Sequence, residues 1–306
     1  MIAAGSTDVP DTLRMHNVQM NKLIHKARIR AGLALVALLV AASGAVAAGT
    51  GHDFIRVAET DRGSPAALEV AIATFQRPDG VQVDLLSAVH VADRAYFRQL
   101  DERLAGYPVV LYELVGDPEA LEMPRGGSPS MIGLLQGSMK DLLGLSFQLD
   151  EMDYSGDNMV HADFTAEEFS ADMRERGESM VGLMFRAWAL GLAQQGSSEA
   201  AAQQAEMLKV LFADDPRLAM KRALASQLAG QTDLLGQLSG PGGSSLIEGR
   251  NGRALERLAE QIDLGARRIA IFYGAGHMPD FAEKLTRDFG MRPAGTEWIE
   301  AWNLRD

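Results

Sequence analysis

Residues Asp84–Val115 set two apolar segments on either side of a helical one, and few folds accept that order. The first segment ends on His90. Asp93 is placed to cap a helix in which Phe97, Leu100 and Leu104 recur at helical spacing, and Gly106 closes it. Pro108–Leu114 is then a second apolar strand, with Glu113 at its far end. Such a β-α-β unit runs its strands parallel, so the expectation is two strands side by side, with His90 and Glu113 emerging together at one sheet edge. Ligands of open α/β sheets bind outside that edge. Far downstream, Arg268–His277 reads RIAIFYGAGH, a second strand that runs to a histidine. The fold is expected to bring His90, Glu113 and His277 to one point.

The flanking sequence agrees with that scheme. Glu69–Phe75 alternates apolar and polar residues, Arg77-Pro78-Asp79-Gly80 supplies turn chemistry, and Val81–Val89 resumes as a strand, which predicts a hairpin. Between Pro118 and Pro129 the proline and glycine content marks a linker, and Met131 to about Gly240 reads as helix. Candidate helices there are Met131–Leu143, Thr165–Glu175, Met180–Gln194, Glu199–Phe212 and Arg217–Leu228, with Thr165 and Glu168 forming a capping box. Ten of the 15 methionines fall between Met123 and Met220. They suit a helical core, or an adaptable apolar groove for a ligand. After Ser239–Ser244 the α/β pattern resumes, with a helix through Leu255, Leu258 and Ile262, a strand at Ile269–Tyr273, a helix at Phe281–Phe289 and a last strand at Thr296–Trp302. The expected class is therefore α/β: two half-sheets or one mixed sheet with flanking helices, plus a central helical insertion over the strand ends.

Four segments follow: 1–47 as a signal peptide, 48–123 as a first α/β half, 124–240 as the helical insertion or lid, and 241–306 as a second half. The first rests on Lys22, Lys26, Arg28 and Arg30, the apolar run Ala31–Ala42 and the small residues Ala45-Val46-Ala47, in the order of a cleavable export signal. Read from Met20, the same stretch is a compact signal peptide; an uncleaved membrane anchor is the alternative. Cleavage near Ala47 would leave a periplasmic or secreted protein, with no membrane partner once the signal is gone. Net charge is -12 for the whole chain, and removing residues 1–47, with five basic and two acidic side chains, brings it to -15. That balance argues against a nucleic-acid partner. The absence of cysteine excludes disulfides and thiolate metal sites.

Two histidines and a glutamate with an open position make a ligand set found in hydrolytic metal sites. Glu113 is the only charged residue from Pro108 to Val115, and a carboxylate there must be paired or metal-bound. An ion pair with Arg250 is the alternative to a metal. His161 and Asp163, two residues apart, would share a face on a strand and are candidates for further metal or substrate contacts; a polar loop before Thr165 is the plainer reading. Gly274-Ala275-Gly276-His277 lacks the third glycine and the acidic residue of a dinucleotide fingerprint, and no G-x-S-x-G elbow occurs.

With these motifs in place the chain resembles the TraB/PrgY/GumN-like proteins and their Tiki relatives, within the wider erythromycin-esterase-like and ChaN-like group. The resemblance rests on Ser87-Ala88-Val89-His90, Glu113 in VVLYELV, the Arg250-Asn251 pair, and Gly274-Ala275-Gly276-His277, in that order. It implies a metal-dependent hydrolase of peptide or amide bonds, with Mn²⁺, Co²⁺ or Zn²⁺ held by His90, Glu113 and His277. Glu113, Arg250 and Asn251 would then be the catalytic residues. Ser87 stands where the first motif has glycine, which leaves less room beside a metal. That difference favours the other expectation, a non-catalytic periplasmic protein binding or sequestering a peptide or small molecule on the same fold.

Overall fold

The computed structural model describes residues 54–117, 143–179, 181–183, 185, 210, 212–230 and 243–306. The expected export signal, the Pro118–Pro129 linker, and most of the helices expected at Met131–Leu143, Met180–Gln194 and Glu199–Phe212 lie outside them. In chain order the strands and helices are β1 (Ile55–Glu59), β2 (Pro65–Gln76), β3 (Gln82–Ala88), β4 (Val91–Ala92), α1 (Arg94–Leu104), β5 (Val109–Tyr112), β6 (Ser146–Phe147), α2 (Gln148–Glu151), β7 (Met159–His161), α3 (Ala166–Glu175), α4 (Pro216–Gly230), α5 (Arg250–Asp263), β8 (Arg268–Gly274), α6 (Met278–Arg287) and β9 (Arg292–Asn303). No helix among the described residues is long and apolar enough to cross a membrane.

One mixed sheet forms the middle layer. Its order is β1-β2-β3-β8-β5-β7, and β9 lies along β2 from Ala67 to Gln76. The β2–β3 hairpin is antiparallel as expected, its turn closed by Arg77 N–H to Val81 O at 2.8 Å and by Gly80 at φ +91°, a conformation that favours glycine. The strands β3, β8, β5 and β7 all run parallel.

Alternation along the parallel strands explains the layers. Leu86, Ala88, Ala270 and Phe272 pack with Tyr96, Phe97, Leu100 and Leu104 of α1 and with Met220 and Leu224 of α4. Leu85, Ile269, Ile271 and Tyr273 face the other way, onto Ala254, Leu255 and Leu258 of α5 and Phe281 and Leu285 of α6. Strands covered on both faces read as continuous apolar runs, which is why β3, β5 and β8 stood out in the sequence.

Three expectations change. β3 and β5 are not neighbours, because β8 lies between them and pairs with both. The α1 crossover leaves a gap one strand wide, and the chain fills it only after residue 267; the two histidine-bearing strands are thus adjacent within one sheet. The segment 124–240, read as helical, contributes the edge strand β7, only three residues long and so below the reach of a periodicity argument. Asp93 makes no side-chain cap to α1; its carboxylate instead binds Lys221 Nζ at 2.8 Å and the Asn303 N–H at 2.6 Å. The Thr165–Glu168 capping box forms as expected.

Of the expected lid, the described parts divide between two places. α4 lies on a sheet face, over Leu68, Val70 and Trp302 of that core. Near the strand ends, β6 pairs with β4 directly after His90 and sets α2 beside it.

Candidate functional site

Four parallel strands deliver their residues to one edge. β3 is followed by His90, β8 by His277, β5 by Glu113 and β7 by Asp163. All three histidines beyond residue 53 sit at this edge.

Glu113 is the centre. Its side chain is 10% exposed, and Arg250 Nη2 donates to Oε1 at 2.6 Å while the Gly274 N–H donates to Oε2 at 2.6 Å. Burial opposes its ionisation, but the charges of His277, Arg250 and His90 and the Gly274 N–H together hold its pKa down at about 2. Arg250 reaches further: Nε and Nη2 donate to the carboxylate of Asp163 at 2.6–3.2 Å, and that carboxylate has no exposed surface. Burial works against the guanidinium, and the two carboxylates more than restore its charge. Glu113 thus has the ion pair with Arg250 that the sequence offered as the alternative to a metal, and Asp163 completes it.

A five-residue π-helical turn, Ser245–Gly249, leads directly into α5 and aims Arg250 at this cluster. Such turns recur at functional sites. A Cβ at Gly249 would stand 2.5 Å from Asp172 Oδ2, so a glycine is what lets α3 pack against the turn.

His277 arrives through a 3-10 turn, Ala275–His277, and is 4% exposed. Its Nδ1 is 2.6 Å from Asn251 Oδ1, and Asn251 Nδ2 donates to His277 O and to Asp280 Oδ2. Nε2 faces the ion pair, 3.6 Å from Glu113 Oε1 and 3.4 Å from Arg250 Nη1. Tyr273 packs edge-on against the ring. Burial lowers the pKa of His277 to about 4 although Glu113 pulls the other way, so the imidazole is neutral at neutral pH.

His90 is exposed. Its Nδ1 lies 3.1 Å from Gln148 Oε1, the Gln148 N–H donates to His90 O, and Gln148 Nε2 donates to the Tyr154 hydroxyl at 2.8 Å. Gly274 sets the spacing of the cluster. A Cβ there would stand 3.3 Å from Glu113 Oε2, 3.4 Å from His90 Nε2 and 3.8 Å from His277 Cδ2. At φ −54° the backbone itself would accept any residue, so the glycine answers crowding and not turn geometry.

The remaining candidates are placed as follows. His161 Nε2 binds Leu114 O at 2.7 Å, and its ring packs against Tyr112. Asp163 holds Arg250. Asn251, fully buried, holds His277. Ser87 lies within β3, in ordinary strand backbone, and its Oγ is buried without a hydrogen-bond partner among the described residues. Gln148, Tyr154 and Tyr273 escaped the sequence reading, since a lone glutamine or tyrosine carries no spacing signal.

Two imidazoles and a carboxylate are donor types that a divalent ion takes. Among the described residues, though, no three His, Asp or Glu side chains are grouped so as to hold a metal ion, and the Arg250 guanidinium already pairs with Glu113. The chain matches no protein-family model, and neither the curated proteins nor the solved structures give a match to it.

Proposed function

We propose that this chain is an exported, metal-dependent hydrolase of peptide or amide bonds, of the TraB/GumN-like kind. The observation that carries the reading is the meeting of His90 Nε2, His277 and Glu113 around Gly274 at the carboxyl edge of four parallel strands. His90, Glu113 and His277 would hold the ion, which when bound polarises a carbonyl and makes hydroxide available near neutral pH. Arg250, steadied by Asp163, presents Nη1 toward the same space and stabilises negative charge that develops on a substrate oxygen. Asn251 holds the His277 ring. The exposed side of the cluster is the His90 side, where a peptide would enter.

Elemental analysis of the purified protein, then peptide-library cleavage with Mn²⁺, Co²⁺ and Zn²⁺ in turn, tests the reading. Stoichiometric metal in the wild type and little in Glu113→Gln is the expected result. Retention of full metal by Glu113→Gln, His90→Ala and His277→Ala alike would reject it.

One observation favours a second reading. Arg250 already pairs with both Glu113 and Asp163, so Glu113 has a partner without an ion. A periplasmic protein that binds or sequesters a peptide or small molecule would keep this arrangement as structure, and would show neither stoichiometric metal nor cleavage.

A further inference from the structure

The two histidines are held by the same device. At His277, Asn251 presents a carboxamide oxygen to Nδ1 and donates from Nδ2 to the histidine's own carbonyl. At His90, Gln148 presents a carboxamide oxygen to Nδ1 and donates from its backbone N–H to the histidine's own carbonyl. One residue thus grips each histidine at ring and backbone together. Gln148 is 5% exposed and Asn251 fully buried. A carboxamide oxygen can only accept, so the proton of a neutral ring must sit on Nδ1, and Nε2 of that tautomer carries the lone pair.

We propose that Gln148 is the positioning residue for His90, the counterpart of Asn251 at His277, and that the two fix both imidazoles as the Nδ1–H tautomer, with the Nε2 of His90 beside Gly274 and the Nε2 of His277 facing Glu113 and Arg250. The orientation of Asn251 is set by its neighbours: Nδ2 meets two acceptors, His277 O and Asp280 Oδ2. Gln148 Nε2 donates to the Tyr154 hydroxyl in the arrangement that leaves Oε1 facing His90 Nδ1. A neutral carboxamide also suits this place better than a carboxylate. It sets the tautomer without adding negative charge beside Glu113 and Asp163. The value of the bare nitrogens rests on the metal reading above; the tautomers themselves do not.

The test is long-range ¹H–¹⁵N correlation on metal-free, ¹⁵N-histidine-labelled full-length protein at neutral pH, assigned with His90→Gln and His277→Gln variants. Both histidines should show a protonated Nδ1 and a bare Nε2. In Gln148→Leu, His90 should move to the Nε2–H form or a mixture while His277 is unchanged; Gln148→Glu should restore Nδ1–H at His90. An Nε2–H His90 in the wild type overturns the proposal, as does a His90 signal indifferent to Gln148→Leu. Should Gln148→Leu fail to fold, the wild-type and Gln148→Glu spectra decide. Zinc titration separates this from the functional reading. If the ion binds, Gln148→Leu should weaken it about 10–100-fold. Correct tautomers without metal binding would reject the hydrolase and leave the positioning role standing.

Discussion

His90 and His277 end the same kind of element, an apolar strand running into a histidine, and finish in opposite surroundings. His277 turns back through a 3-10 turn under Tyr273, is 4% exposed, and faces Glu113 and Arg250. His90 sits in a bend between β3 and β4 and stays exposed, its Nδ1 on Gln148. The difference shows that strand-end placement brings a residue to the site, while the turn after it decides whether the residue is dry or wet. The dry histidine belongs to a packed ion-pair network, and the wet one lies on the exposed side of the cluster.

The strongest way to break that contrast is Arg250→Met. It leaves Glu113 and the fully buried Asp163 without their cation, and should cost about 3–5 kcal/mol in urea unfolding. A loss below 1 kcal/mol would mean the dry side is not a buried ion network. The acid limb comes next. His277 titrates near 6.5 when unfolded and at about 4 when folded, so the unfolded chain binds more protons between those values. Stability of the metal-free protein should therefore be complete above pH 6.5 and fall by about 3 kcal/mol as pH drops toward 4. Glu113, shifted from 4.5 to about 2, adds a further loss below pH 4.5. His277→Gln should flatten the upper part of this limb; if His90→Gln flattens it equally, the contrast fails. Gly274→Ala touches both sides, pressing a methyl group within 3.3 Å of Glu113 and 3.4 Å of His90, and should cost about 1 kcal/mol in thermal unfolding. His90→Ala should change stability by less than about 0.5 kcal/mol, since an exposed ring buries little.

Much of the site could be read in advance because its residues interrupt strong patterns. Glu113 breaks an apolar strand, and both histidines end one. Strand order could not be read that way: β3, β5 and β8 carry no mark of which neighbours which, so β8 at the centre was found only in space. Asp163 and Arg250 were each noticed, yet their ion pair joins a strand end to a helix start far apart in the chain. Gln148 was invisible for a different reason. It grips His90 through one amide on a four-residue helix, and no period or motif singles out such a residue.

The late arrival of β8 has a consequence for how the protein is made. Until residues 268–274 exist, β3 and β5 each hold an unpaired edge toward the gap between them. Open strand edges are templates for association with other chains. Docking of β8 closes both edges in one event and brings His277 with it. The site's strands are therefore in place once β8 docks, and β9 follows to pair along β2. A chain cut short before β8 is not a smaller domain; it is an open sheet in which β2, β3 and β5 each lack a neighbour.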